Sequence, residues 1–153
     1  MRKLKVAVIG CGIISGMHLD AINALDMAEL VAICDIREER AREAAAKYGG
    51  KVYTDYREMI WKEQLDAVHI CLPHYLHTVV AQEAFAAGVH VLSEKPMSIR
   101  YEDAVKTVEM AEKYGLQYGV IFQCRYNIHP DDSRLVPRGR TAPFLVCHLR
   151  FVF

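Results

Sequence analysis

Two short stretches carry residue types and spacings that could do chemistry. The first is Ser93-Glu-Lys-Pro-Met97. A lysine there could offer a proton or a positive charge to a substrate hydroxyl, and the neighbouring Glu94 could orient it or tune its proton affinity. Taken alone, Glu-Lys-Pro is better read as a surface turn. The second is Gly10-Cys-Gly-Ile-Ile-Ser15, a G-x-G-x-x-G pattern with Ser in the third place. Gly10 can take the backbone angles of a tight turn, and Gly12 has no side chain to block a pyrophosphate. Ser15 is small enough to let the following helix pack close to the strand. The free N–H groups and partial positive charge at that helix's N-terminus attract a phosphate.

The elements around the glycines give the pattern its weight. Val6, Ala7, Val8 and Ile9 form a continuous apolar run, expected of a strand buried on both faces of a parallel sheet. Ala21, Ile22 and Leu25 suggest an amphipathic helix after the turn. A second apolar run, Leu30-Val-Ala-Ile-Cys34, ends at Asp35. An acid at the end of a second strand, about 20 residues past the glycines, suits recognition of a ribose hydroxyl. Asp35 favours NAD because a carboxylate repels a 2′-phosphate, while Arg37 could attract that phosphate and leaves NADP open.

Further along, strands and helices alternate with short connections. Helices are predicted over Glu38–Tyr48, Leu76–Ala87 and Tyr101–Tyr114, and strands over Val52-Tyr53, Asp66–Leu72, Val89–Leu92 and Gln117–Phe122. Gly49-Gly50, Gly88 and Gly115 stop the helices, and Thr54 or Asp55 can cap a helical turn through Met59, Ile60 and Trp61. The pattern predicts an α/β fold, a doubly wound parallel sheet with helices on both faces. In such a sheet, ligands sit outside the carboxyl ends of the strands, where Gly10–Ser15, Cys71–His77 and Ser93–Met97 all fall.

Composition narrows the function classes. The 153 residues are 52% hydrophobic and 25% charged with zero formal net charge. This suits a domain with a full core and gives no support to nucleic-acid or anionic-membrane binding. Neither a signal peptide nor a transmembrane helix is expected. Five cysteines, Cys11, Cys34, Cys71, Cys124 and Cys147, are odd in number and lack C-x-x-C spacing. They read as reduced thiols of a cytoplasmic protein, with no thiolate metal site. His74 and His77 have no further ligands clustered with them, so no metal is expected. His18 and His69 read as packing or hydrogen-bonded residues.

Gly10-Cys-Gly-Ile-Ile-Ser-Gly-Met-His18, Pro73-His-Tyr-Leu-His77 and Glu94-Lys-Pro96 occur in the order and spacing seen in one family. Over about residues 3 to 127 the chain resembles the glucose–fructose oxidoreductase / inositol dehydrogenase / MocA oxidoreductases. The resemblance implies a nicotinamide-binding Rossmann domain followed by a large α/β substrate domain. It implies that Gly10, Gly12, Ile13 and Ile14 hold the pyrophosphate and that Asp35 takes the adenosine ribose. By the same likeness Leu72, Pro73 and His77 line the cofactor cleft. Glu94 and Lys95 lie at the nicotinamide end, with Lys95 assisting proton transfer. His74 stands where the family often has Asn, which puts its contact in question.

The tail departs from the family. Residues 1–124 are expected to form the dinucleotide-binding domain. Residues 125–153 are expected to hold a hinge, around Gln123-Cys-Arg-Tyr-Asn127, and a truncated remnant of the substrate domain. Phe144–Phe153 resembles a strand with Leu145, Cys147, Leu149, Phe151 and Phe153 on one face, and Leu135-Val-Pro-Arg-Gly139 resembles a thrombin recognition site. Two functions follow. One is the cofactor half of an NAD(P)-dependent oxidoreductase acting on a hydroxyl-bearing carbon of a sugar, polyol or related compound. It would work as a homo-oligomer or with a separate substrate-domain chain. The other is a non-catalytic nucleotide-binding module, dimeric through its terminal strand.

Overall fold

The structure, a computed structural model, describes residues 2–122. The expectations for the hinge, the terminal strand, the thrombin-like stretch, Cys124, Cys147 and the boundary near residue 124 lie outside these residues.

Within the described residues, six parallel strands alternate with five helices. They are β1 (Leu4–Ile9), α1 (Ser15–Asn23), β2 (Ala28–Cys34), α2 (Glu38–Tyr48), β3 (Lys51–Tyr53), α3 (Tyr56–Glu63), β4 (Ala67–Ile70), α4 (His77–Ala86), β5 (His90–Ser93), α5 (Tyr101–Tyr114) and β6 (Tyr118–Val120). A single 3-10 turn, His74–Leu76, leads into α4. The sheet order is β3-β2-β1-β4-β5-β6. The chain winds outward from β1 in one direction and then, through β4, in the other. The order therefore reverses between β1 and β4, which opens a crevice at their carboxyl ends.

Alternation along β1 sends side chains to both faces, and each face is covered. Val6 and Val8 pack with Leu19, Ile22, Ile33 and Ala41 under α1 and α2. Ala7 and Ile9 pack on the opposite face with Ile70, Val80 and Phe85, on the side of α3, α4 and α5. Two-sided burial explains why β1 and the end of β2 are apolar without alternation.

The glycine stops stand where expected. Gly49 and Gly115 follow α2 and α5 with φ of +85° and +67°. Asp55, not Thr54, caps α3, its carboxylate accepting the Arg57 backbone N–H at 2.8 Å. One expectation needs correction. Leu25 lies beyond the end of α1 and is exposed, as is Ala21. The buried stripe of α1 is instead Ser15, His18, Leu19 and Ile22, because a hydrogen-bonded histidine takes a core position that an apolar count assigns elsewhere. The expected helical turn through Met59, Ile60 and Trp61 is there as α3, with Met59 and Ile60 buried and Trp61 exposed.

Candidate cofactor and proton-transfer site

Gly10 joins β1 to the first loop at φ +97°, and a Cβ there would stand 2.3 Å from the Cys71 carbonyl oxygen. Only glycine suits both the backbone angle and this approach to the end of β4. Gly12 differs. A Cβ on it would meet nothing within 4 Å, so the space above it is open. Ser15 is buried, and its hydroxyl donates to the Gly12 carbonyl at 2.6 Å, tying the first residue of α1 back to the turn. Among the described residues, no hydrogen bond takes up the backbone N–H of Gly12, Ile13 or Ile14. Both isoleucine side chains are exposed. Bare amides and open space at a helix N-terminus suit a diphosphate, so the chain's own residues fit a dinucleotide.

Asp35 sits at the end of β2 and is tied from two sides. One carboxylate oxygen accepts the Cys11 N–H and the other accepts the Arg37 N–H, both at 2.8 Å. The acid is thereby held beside the glycine loop. Arg37 caps the start of α2 with an extended backbone, and its exposed side chain makes no ion pair among the described residues.

The loop after β4 brings Leu72, Pro73 and His74 to the same end of the sheet. Leu72 is half-buried, and its side chain lies close to Gly10. Pro73 and His74 are exposed, with the His74 ring edge-to-face with that of His77. His77 itself is fully buried, at 0% exposure, so it presents no surface to a ligand. Its ring nitrogens stand 2.7 Å from the Pro96 carbonyl and 2.8 Å from the Leu72 carbonyl. It shapes the cleft by tethering the loop after β4 to the loop after β5.

On that second loop Lys95 is exposed and makes no ion pair among the described residues, whereas Glu94 is only 8% exposed. The Lys95–Pro96 peptide is cis. One Glu94 oxygen accepts the Lys95 backbone N–H at 3.2 Å, and the other lies 3.1 Å from His18 Nε2. His18, 5% exposed on α1, contacts His69 of β4 through their Nδ1 atoms at 3.0 Å. Burial, reinforced by the neighbouring His18, lowers the His69 pKa from its ordinary 6.5 to about 4. Both histidines are hydrogen-bonded, as their types suggested. Their meeting with Glu94 was missed, because the three lie on separate elements and no local pattern joins them.

The thiols nearby are quiet. Cys11, Cys34 and Cys71 are free. Burial pushes Cys11 and Cys34 up to about 12 and Cys71 higher still, which disfavours the thiolate. Among the described residues no three His, Cys, Asp or Glu side chains cluster as a metal site. Among them, too, no helix is long and apolar enough to cross a membrane.

Residues 4–122 match the model of an oxidoreductase family with an NAD-binding Rossmann fold, GFO_IDH_MocA. The chain is 37% identical over 117 residues to the D-apiose dehydrogenase of Paraburkholderia graminis, covering 76% of this chain and 31% of that protein. It is 35% identical over 111 residues to the myo-inositol 2-dehydrogenase of Thermotoga maritima, covering 72% and 33%. The WlbA dehydrogenase from Bordetella pertussis, solved in complex with NADH and UDP-GlcNAcA, superposes with a TM-score of 0.79 at 38% identity, covering 82% of this chain and 39% of that one. The chain thus spans between three and four tenths of the length of these relatives. Sheet order, glycine loop and family match agree: the chain belongs to the Gfo/Idh/MocA oxidoreductase family and carries its NAD-binding Rossmann domain.

Proposed function

We propose that this domain is the cofactor half of a dehydrogenase that oxidises a hydroxyl-bearing carbon of a sugar, polyol or related compound. When bound, the nicotinamide supplies the hydride acceptor. The amides of Gly12, Ile13 and Ile14 receive the pyrophosphate over the turn that Gly10 makes possible. Asp35 takes the adenosine ribose, and Arg37 beside it sets the choice between NAD and NADP. Leu72, Pro73 and His74 form one rim of the cleft. His77 holds that rim to the Glu94-Lys95-Pro96 loop, where Lys95 takes up the substrate's hydroxyl proton. The observation that carries this reading is the open, amide-lined space over Gly12, with a tethered Asp35 beside the same loop. The named activities of the relatives support the substrate class.

Residues 1–124 act as the binding domain in this reading, and residues 125–153 as the lead into substrate-binding structure. In this reading, substrate-binding structure outside residues 1–124 closes the nicotinamide face. Free Cys11, Cys34 and Cys71 support a cytoplasmic setting. A second reading is a nucleotide-binding module without turnover, since the open, amide-lined space over Gly12 serves binding alone.

NADH titration by fluorescence, followed by NAD reduction over a panel of inositols and sugars, decides between them. Binding with turnover that is lost in Lys95→Ala supports the dehydrogenase. Binding without turnover leaves the module, and no binding overturns both.

A further inference from the structure

Glu94, His18 and His69 form a line of three titratable side chains that runs from the Lys95 loop into the core, and the proposed cofactor contacts use neither histidine. Glu94 lies beside the exposed Lys95, His18 is enclosed in the core, and His69 is half-buried on β4. Among the described residues, His69 Nε2 makes no hydrogen bond to the protein, and it is not a buried orphan, so it is open to water. Two nitrogens 3.0 Å apart share a single proton, and which one carries it decides the rest of the line.

In one arrangement Glu94 is a carboxylate accepting His18 Nε2–H, while His69 Nδ1–H donates to His18 Nδ1. In the other, Glu94 is protonated and donates to His18 Nε2, while His18 Nδ1–H donates to His69 Nδ1 and His69 carries its proton on Nε2. Passing from the second to the first moves the Glu94 proton to His18 Nε2, the His18 Nδ1 proton to His69 Nδ1, and the His69 Nε2 proton to water. Each histidine ends neutral, as it began, and one proton has crossed from Glu94 to solvent. The low proton affinity of His69 keeps that ring neutral near pH 7, so neither arrangement strands a charge on it.

We propose that Glu94, His18 and His69 are a proton relay between the Lys95 loop and the water at His69. Its service to catalysis rests on the dehydrogenase reading: Lys95 hands the hydroxyl proton to the adjoining Glu94 carboxylate, which restores the protonated Glu94 of the second arrangement. The line then carries one proton to water while substrate and cofactor cover the cleft. His18 and His69 are then positioning and relay residues that touch neither ligand.

The relay itself is testable in the full chain without turnover, by nitrogen-15 NMR of labelled histidines. A scalar coupling between Nδ1 of His18 and Nδ1 of His69 is expected across their shared proton. Exchange of the His18 Nε2 proton with water is expected to slow at least about tenfold in His69→Phe. His69→Gln, which still offers His18 a donor but cannot pass a proton on, covers the case in which the first variant does not fold. A relay predicts slowing, whereas loss of a merely structural contact speeds exchange. Unchanged or faster exchange, or no coupling, overturns the proposal. NADH titration of the same samples separates the two ideas: slowed exchange without NADH binding sinks the dehydrogenase reading alone, and NADH binding with unchanged exchange sinks the relay alone.

Discussion

The carboxylate of Asp35 accepts the backbone N–H of Cys11 at 2.8 Å, joining the acid that ends β2 to the glycine loop that ends β1. The interaction ties the acid to the loop, and the carboxylate's remaining lone pairs are the ones the proposed ribose contact would use. Replacing Asp35 with Ala removes a charged acceptor, an interaction of about 1.5–3 kcal/mol. The expected result is NADH affinity lower by roughly tenfold or more, with a small fall in melting temperature. Unchanged affinity by calorimetry would argue against the ribose assignment.

The two loop glycines should fail in different ways. Gly10→Ala forces a positive φ and drives a Cβ into the Cys71 carbonyl. A stability loss of about 3 kcal/mol is expected in urea unfolding. Gly12→Ala meets no protein atom, so its stability should stay within about 0.5 kcal/mol of the parent. Its methyl group enters the space proposed for the diphosphate, and NADH binding should be lost. If Gly12→Ala binds NADH normally, the pyrophosphate lies elsewhere.

His69 makes stability depend on pH. The folded state holds its pKa near 4 against an ordinary 6.5, so between those values the unfolded chain binds the extra proton. The contribution is fully present above about pH 6.5 and is lost as pH falls toward 4. At 1.36 kcal/mol per pH unit the total is on the order of 3 kcal/mol. His69→Gln should flatten the fall in unfolding free energy across that window, measured by urea titration at several pH values. A variant with the parent's slope would contradict the assignment.

His77→Ala should cost about 3 kcal/mol, since it opens a cavity and leaves the Leu72 and Pro96 carbonyls without their imidazole. Thermal unfolding would register the loss. A melting temperature equal to the parent's would mean that the tether carries little of the fold's stability.

Much of this was legible in the sequence. The unbroken apolar runs at Val6–Ile9 and Leu30–Cys34 announced strands covered on both faces, and glycines marked the ends of α2, α4 and α5. The turn at Gly10 and the places of Asp35 and Lys95 at strand ends were legible because local geometry of this kind leaves its trace in neighbouring residues. What stayed hidden depends on contacts between distant elements. His18 and His69 are 51 residues apart, and only the pairing of β1 with β4 under α1 brings them together. The burial of His77 was hidden for the same reason, since a histidine near a strand end gives no sign that two carbonyls await it.

The tether at His77 also bears on how the domain breathes. One ring spans the segment after β4 and the segment after β5, so the two rims form a single jaw. A local opening that frees Pro73 must release Pro96 as well. Amide protection on the two segments should therefore rise and fall in step, and a ligand that grips one rim stiffens the other without touching it.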